Sequence, residues 1–194
     1  MALKAIAAEK RQHIIETAYA LFKRAGFHAT GIDRIIAEAE VAKMTMYRHF
    51  PNKDALILEV LDWRTQRFEG QLDRLSEAAS TPEQKIATIF DWHRRWFDSP
   101  DFHGCLFQHA LAEFADPDHP VFKAATRQKT GLKRRMRKIL EGSVSTDQAE
   151  SIAAVLVMLI EGATLLAQMG QGKAALRAAR RTAASLLAKP TTSI

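Results

Sequence analysis

The stretch from Thr30 to Phe50, TGIDRIIAEAEVAKMTMYRHF, limits the possible folds of this chain more than any other. Ile32, Ile35 and Ile36 repeat at helical spacing, Met46 and Phe50 do so again, and the residues around Glu40 and Val41 interrupt the pattern. Two short helices meeting at a tight bend satisfy this arrangement, each burying its apolar stripe against the other and against a third partner. Thr30 reads as the cap of the first helix, its hydroxyl accepting from a backbone N–H, and Asp33 as an acid in the first turn. On the second helix Lys43, Thr45, Tyr47, Arg48 and His49 fall off the apolar face. Two packed helices with polar groups on the outside suit a nucleic-acid duplex.

The third partner precedes them. Ile14, Ile15, Ala18, Leu21 and Phe22 form a helical stripe from Arg11 to Ala25, Gly26 supplies a left-handed stop, and Phe27 packs back on the helix. Beyond this head the chain is poor in Gly and Pro and lacks alternating β-branched runs, while Ala, Leu, Ile and the long charged residues dominate. The expected fold is therefore all-α, with about nine helices. A formal net charge of +6 favours a polyanionic partner. The single cysteine, Cys105, excludes an internal disulfide framework, and no secretory signal is visible, so a cytoplasmic protein is expected. The apolar run from Ile152 to Ile160 stops at Glu161, short of the roughly 18 residues a membrane span needs. No membrane segment is expected.

Gly26 with Phe27, then Thr30, the Ile35–Ile36 pair, Val41, Tyr47 to Phe50, Lys53 and Leu56 together resemble the head of the TetR family of bacterial transcriptional regulators. The resemblance covers roughly Arg11 to Val60. It implies a helix-turn-helix DNA-binding domain over 1–51, followed by a helical ligand-binding and dimerisation domain over 52–194. Carried over by position, it places Lys43, Met44, Thr45, Tyr47 and His49 at the DNA surface and Lys53 at the start of the next helix. Their chemistry agrees: Lys43 suits guanine acceptors or phosphate, and Thr45 and Met44 suit a thymine methyl. Tyr47, His49, Lys53 and Thr30 suit phosphate oxygens, and Arg48 joins them where it faces the groove. Three positions depart from the family pattern. Glu40 stands at the usual turn glycine, Ala42 at the usual Ser or Thr cap, and Met44 at a usual small residue.

The rest of the chain divides by its punctuation. Asn52 caps a long fourth helix, and Thr81-Pro82-Glu83-Gln84 carries cap, first-turn proline and capping-box glutamine. Asp116 to Pro120 breaks a helix that carries Phe107 and Phe114, and Gly142 closes a strongly basic helix beginning at Val121. The aromatic density between Trp92 and Phe114 reads either as an ordinary core or as the wall of a small-molecule cavity. The resemblance implies such a pocket, and Trp63, Trp92, His93, Trp96, Phe107 and His109 are its candidate walls. The last two helices, with Ile152, Val155, Leu156, Leu159, Leu166, Leu176 and Leu186, either close the monomer core or pair with their copies as a four-helix bundle. The resemblance implies the bundle.

These expectations describe a homodimeric repressor released from a near-palindromic operator by a small molecule, with no cofactor, no metal and no catalysis. The rival reading is a helical enzyme or metalloprotein using His93, His103, Cys105, His109 and His119, residue types that suit zinc or copper but stand at no recognised ligand spacing.

Overall fold

A computed structural model describes residues 2–188, with side chains from residue 5 onward. Among the described residues there are nine α-helices and no strand. In chain order they are α1 (Ala2–Ala25), α2 (Ile32–Glu38), α3 (Lys43–His49), α4 (Lys53–Ser76), α5 (Pro82–Phe97), α6 (Leu106–Glu113), α7 (Pro120–Leu140), α8 (Thr146–Gln168) and α9 (Gly172–Leu187). The all-α expectation holds. The first helix, however, starts nearer Ala2 than Arg11, because the Ala-rich run before Arg11 continues the helix.

The helix boundaries follow the local chemistry. Thr81 and Gln84 form a complete capping box on α5, and Ser145 and Gln148 do the same on α8. The Asn52 carboxamide oxygen accepts from the Ala55 N–H at 2.8 Å, capping α4 as expected. Gly26, Gly142 and Gly170 end helices at positive φ.

The chain forms two compact units that interleave in sequence. One comprises residues 1–67 and 105–128, the other 68–104 and 129–194, so α4 and α7 contribute to both. The first is thus larger than the expected 1–51 head, because the start of α4, all of α6 and the start of α7 belong to it. Its buried residues include Ile14, Phe22, Phe27, Ile35, Met46 and Phe50 from the head, with Leu56, Leu106 and Phe114 from the later helices. In the second unit, Phe68 and Leu72 of α4, Ile86, Ile89 and Phe90 of α5, Leu132 and Met136 of α7, and apolar residues of α8 and α9 form one core.

The 23-residue α8 is by length and composition apolar enough to cross a membrane, contrary to the expectation from the shorter run ending at Ile160. Glu161 does not end the apolar segment because the helix continues through Ala163, Leu165 and Leu166. Ala149, Ala153, Leu156, Ile160 and Ala163 bury one of its faces in the core of the second unit.

Candidate nucleic-acid interface

The reading surface is assembled from the end of α1 outward. Thr30 is fully buried, and its hydroxyl donates to the Gly26 carbonyl at 2.7 Å. The N-cap of α2 is Gly31, which makes no side-chain cap. Thr30 is therefore neither the cap nor a surface donor. A hydroxyl enclosed among apolar groups needs a partner, and the free carbonyl at the end of α1 supplies it.

The bend between α2 and α3 falls at Glu40, whose φ of +50° is the positive value that glycine adopts without penalty. Ala42 is the N-cap of α3 and offers no side-chain acceptor to the helix N–H groups. Both departures from the family pattern thus fall where they cost stability. We expect Glu40→Gly and Ala42→Ser each to stabilise the protein by about 1 kcal/mol. Thermal unfolding measures this, and an unchanged midpoint in both variants would show that the bend carries no such cost.

Helix α3 is anchored by Met46 and, just past its end, by Phe50, at 0% and 1% exposure. Met44, at 83%, and Tyr47, at 41%, stand on the opposite side with exposed Lys43 and Arg48, while Thr45 is half-buried. The Lys43 ammonium lies 3.4 Å from Asp33 of α2, an exposed pair that holds the lysine only weakly. Lys53, half-buried, begins α4; burial lowers its pKa, while the Glu113 and Asp54 carboxylates oppose that shift.

His49 is more enclosed than the sequence suggests. Its Nε2 is buried without a hydrogen-bond partner, and its pKa is lowered by burial first and by the Arg48 and Arg11 guanidiniums next. The folded state therefore resists protonation of this ring. Its contribution to stability is fully present above the ordinary histidine value of about 6.5 and is lost as pH falls through that value towards the lower folded one. Arg11 is itself held in place, 5.2 Å above the Phe50 ring and 2.5 Å from Glu59.

The expected pocket walls are divided between the two units. Trp92, His93 and Trp96 come together in the second unit with Phe68, Phe97 and Phe102, in ring contacts between 4.6 and 6.1 Å. Trp92 Nε1 donates to Gln71 at 2.8 Å, and His93 Nδ1 lies 2.8 Å from the Ile89 carbonyl. Trp63, Phe107 and His109 belong to the first unit, where Trp63 packs edge-on to Tyr19 at 5.2 Å and beneath Arg67. A separate groove of about 390 Å³ in the second unit runs between α5 and α9, over Ile86, Ala87, Phe90, Ala183 and Leu187. It uses none of the expected walls.

Among the described residues no group of three or more His, Cys, Asp or Glu side chains is arranged to hold a metal ion. His93 and His103 lie in one unit and Cys105, His109 and His119 in the other. His103 Nδ1 is 3.1 Å from the Asp101 carbonyl, and His119 Nδ1 accepts from the Val121 N–H at 3.2 Å. The metalloprotein reading gains no support.

The terminal helices separate the expected interface residues into two kinds. Leu156 and Leu176 are buried within their own chain, at 0% and 3% exposure, and are withdrawn from any partner. Ile152 and Leu159 pack partly against the same core, and Val155 is half-buried. Leu166 and Leu186 remain exposed, together with Met158, Leu165 and Met169, which the sequence reading missed. Their signal was present in the sequence: Val155, Met158, Gly162, Leu165 and Met169 follow alternating steps of three and four residues, a stripe distinct from the core-facing one.

Residues 14–60 match the family model described as bacterial regulatory proteins, tetR family, and residues 82–182 match the C-terminal domain of LmrA/YxaF-like transcriptional regulators. The chain is 25% identical to the HTH-type transcriptional regulator YxaF of Bacillus subtilis over 85% of this chain and 88% of that protein. It is likewise 25% identical to the regulator LmrA of the same organism, over 81% and 86% of the two chains. Among solved structures it is similar to SCO4454, a TetR-family transcriptional regulator from Streptomyces coelicolor, with a TM-score of 0.87, 29% identity and coverage of 93% and 95%.

Proposed function

Because the chain belongs to the TetR family of DNA-binding transcriptional regulators, we propose that it works as a homodimeric repressor, released from a near-palindromic operator by a small molecule. The observation that carries this reading is the pairing of two surfaces: the outward face of α3 with Lys43, Met44, Tyr47 and Arg48, and the exposed apolar stripe of α8. A recognition helix reads one half-site, and a two-fold partner supplies the second about one helical turn away. Residues 1–51 then hold the DNA-reading function, and 52–194 hold ligand binding and dimerisation.

In this reading Lys43, Met44 and Thr45 face base edges, and Tyr47, Arg48, the accessible part of His49 and Lys53 face phosphates. The aromatic set of Trp92, His93 and Trp96 supports an apolar, ring-bearing ligand, which stacks on such walls. That ligand shifts the protein towards the DNA-incompetent arrangement only to the extent that it binds that arrangement better. The protein acts in the cytoplasm and needs no cofactor.

The test is retention of promoter fragments from the source genome, followed by competition with random DNA at fixed salt. A regulator of this kind prefers its own fragment by about a thousandfold or more. Equal competition by random DNA would overturn the reading. On the retained fragment, Thr45→Ala should change preference at particular base pairs. Lys53→Ala should weaken all sequences alike and lower the salt slope by about one. A uniform loss for Thr45→Ala would remove it from the base-reading set.

A further inference from the structure

The turn that follows α1 is held by a residue 85 to 86 positions away in sequence. Glu113, the last residue of α6, accepts from the Phe27 N–H through Oε1 at 2.9 Å and from the His28 N–H through Oε2 at 2.6 Å. These donors follow Gly26, whose φ is +85° and where an added Cβ would meet Glu113 Oε1 at 2.9 Å. The positive φ favours glycine there, and an added Cβ would push the Glu113 carboxylate away from its two donors. The next residue, Phe114, is buried, with its ring 5.7 Å from Phe27, 4.8 Å from His28 and 4.8 Å from His119.

We propose that Glu113 is the positioning residue of the DNA-reading head: its carboxylate fixes the turn from which α2 and α3 are aimed, and α6 thereby sets the orientation of the recognition helix. The assignment builds on the DNA-binding function proposed above. Two N–H groups converging on one carboxylate define both the direction and the depth of the turn, which a single bond would not. Thr30 continues the same turn by bonding back to Gly26, so the anchored segment leads directly into α2. His28 Nδ1, 3.5 Å from Oε2, adds a third contact from the exposed side. Lys53 also feels the Glu113 carboxylate, and Asp54 lies 3.5 Å from His119 Nε2.

Charge and position predict opposite signs for Glu113→Gln. Removing a carboxylate from beside Lys53 makes the surface more positive, which by electrostatics alone tightens binding to any DNA. The glutamine keeps one acceptor, but its amide NH₂ cannot accept from the second backbone N–H. The positioning role therefore predicts that Glu113→Gln loses about tenfold or more in affinity for the retained promoter fragment, while affinity for random DNA is unchanged or slightly higher. Glu38→Gln, an exposed acid on α2, is the charge-matched control and should not weaken promoter binding.

Hydrogen exchange on the full chain without DNA gives the independent readout. In Glu113→Gln, protection should fall at Phe27, His28 and through α2 and α3, with α5, α8 and α9 unchanged. Equal loss of promoter and random-DNA binding together with loss of protection everywhere would mean a general folding role and overturn the assignment. Unchanged exchange in the head would overturn it as well. If exchange behaves as expected but the wild-type protein prefers no promoter fragment, the repressor reading fails while the anchoring of the head stands.

Discussion

Met158→Glu combined with Leu165→Glu is expected to abolish the proposed homodimer in sedimentation and to weaken promoter binding by about a hundredfold or more, with helical content unchanged. Both side chains are exposed, at 64% and 56%, on a helix whose opposite face is already buried in its own core. Charges placed there cost nothing in the monomer but must be desolvated in a bundle formed with a second copy. The loss in DNA binding follows from bivalency, since joining two half-site readers raises affinity by about 10²–10⁴ without any new contact to DNA. The choice of positions matters. Leu156→Glu would also abolish the dimer, but by unfolding the second unit, because Leu156 is fully buried within its own chain. Leu159 is compromised for the same reason, being packed partly against that core. A dimer that survives the Met158 and Leu165 replacements would place the partner on another surface.

The distinction between the two faces of α8 shows where sequence pattern carries information and where it stops. Helix existence, the capping boxes at Thr81 and Ser145, and the stop at Gly26 are local, and short-range chemistry fixes them. The helix-turn-helix was legible for the same reason, with Met46 and Phe50 spaced to bury and Tyr47 spaced to stay out. Thr30 was misread because its hydroxyl had two local partners, the N–H groups ahead and the Gly26 carbonyl behind, and burial selected the second. On α8 both faces are apolar, so composition alone did not say which leucines serve the core. The clasp of Glu113 on Phe27 and His28 left no periodic trace, since it depends on α6 reaching the end of α1 in three dimensions. The expected pocket walls are divided between the two units for a related reason: neighbours in sequence around Gly104 and Cys105 fall in different units.

The second large effect lies on α3. Lys43→Ala and Tyr47→Ala are each expected to weaken binding to the retained promoter fragment by about tenfold or more while leaving the thermal midpoint within a degree or two. Both side chains are exposed, so neither substitution opens a cavity, and the fold loses only the weak Lys43–Asp33 pair. That pair supplies a sharper test. In the free protein Asp33 holds the Lys43 ammonium at 3.4 Å, and a phosphate or a guanine must take the ammonium from it. Asp33→Asn should therefore tighten promoter binding, and the gain should shrink to the general effect of one lost negative charge when Lys43 is already alanine, a coupling that a double-mutant cycle reads directly. The salt dependence then separates the two possible targets of Lys43. A phosphate contact lowers the slope by about one when it is removed, whereas a guanine contact relaxes preference at one base pair. For Tyr47 the comparison is with phenylalanine: a hydroxyl donating to phosphate predicts that Tyr47→Phe loses most of what Tyr47→Ala loses. Full binding by Tyr47→Phe would instead assign the ring to packing against the sugar-phosphate backbone, and unchanged affinity in both Lys43→Ala and Tyr47→Ala would remove α3 from the DNA surface altogether.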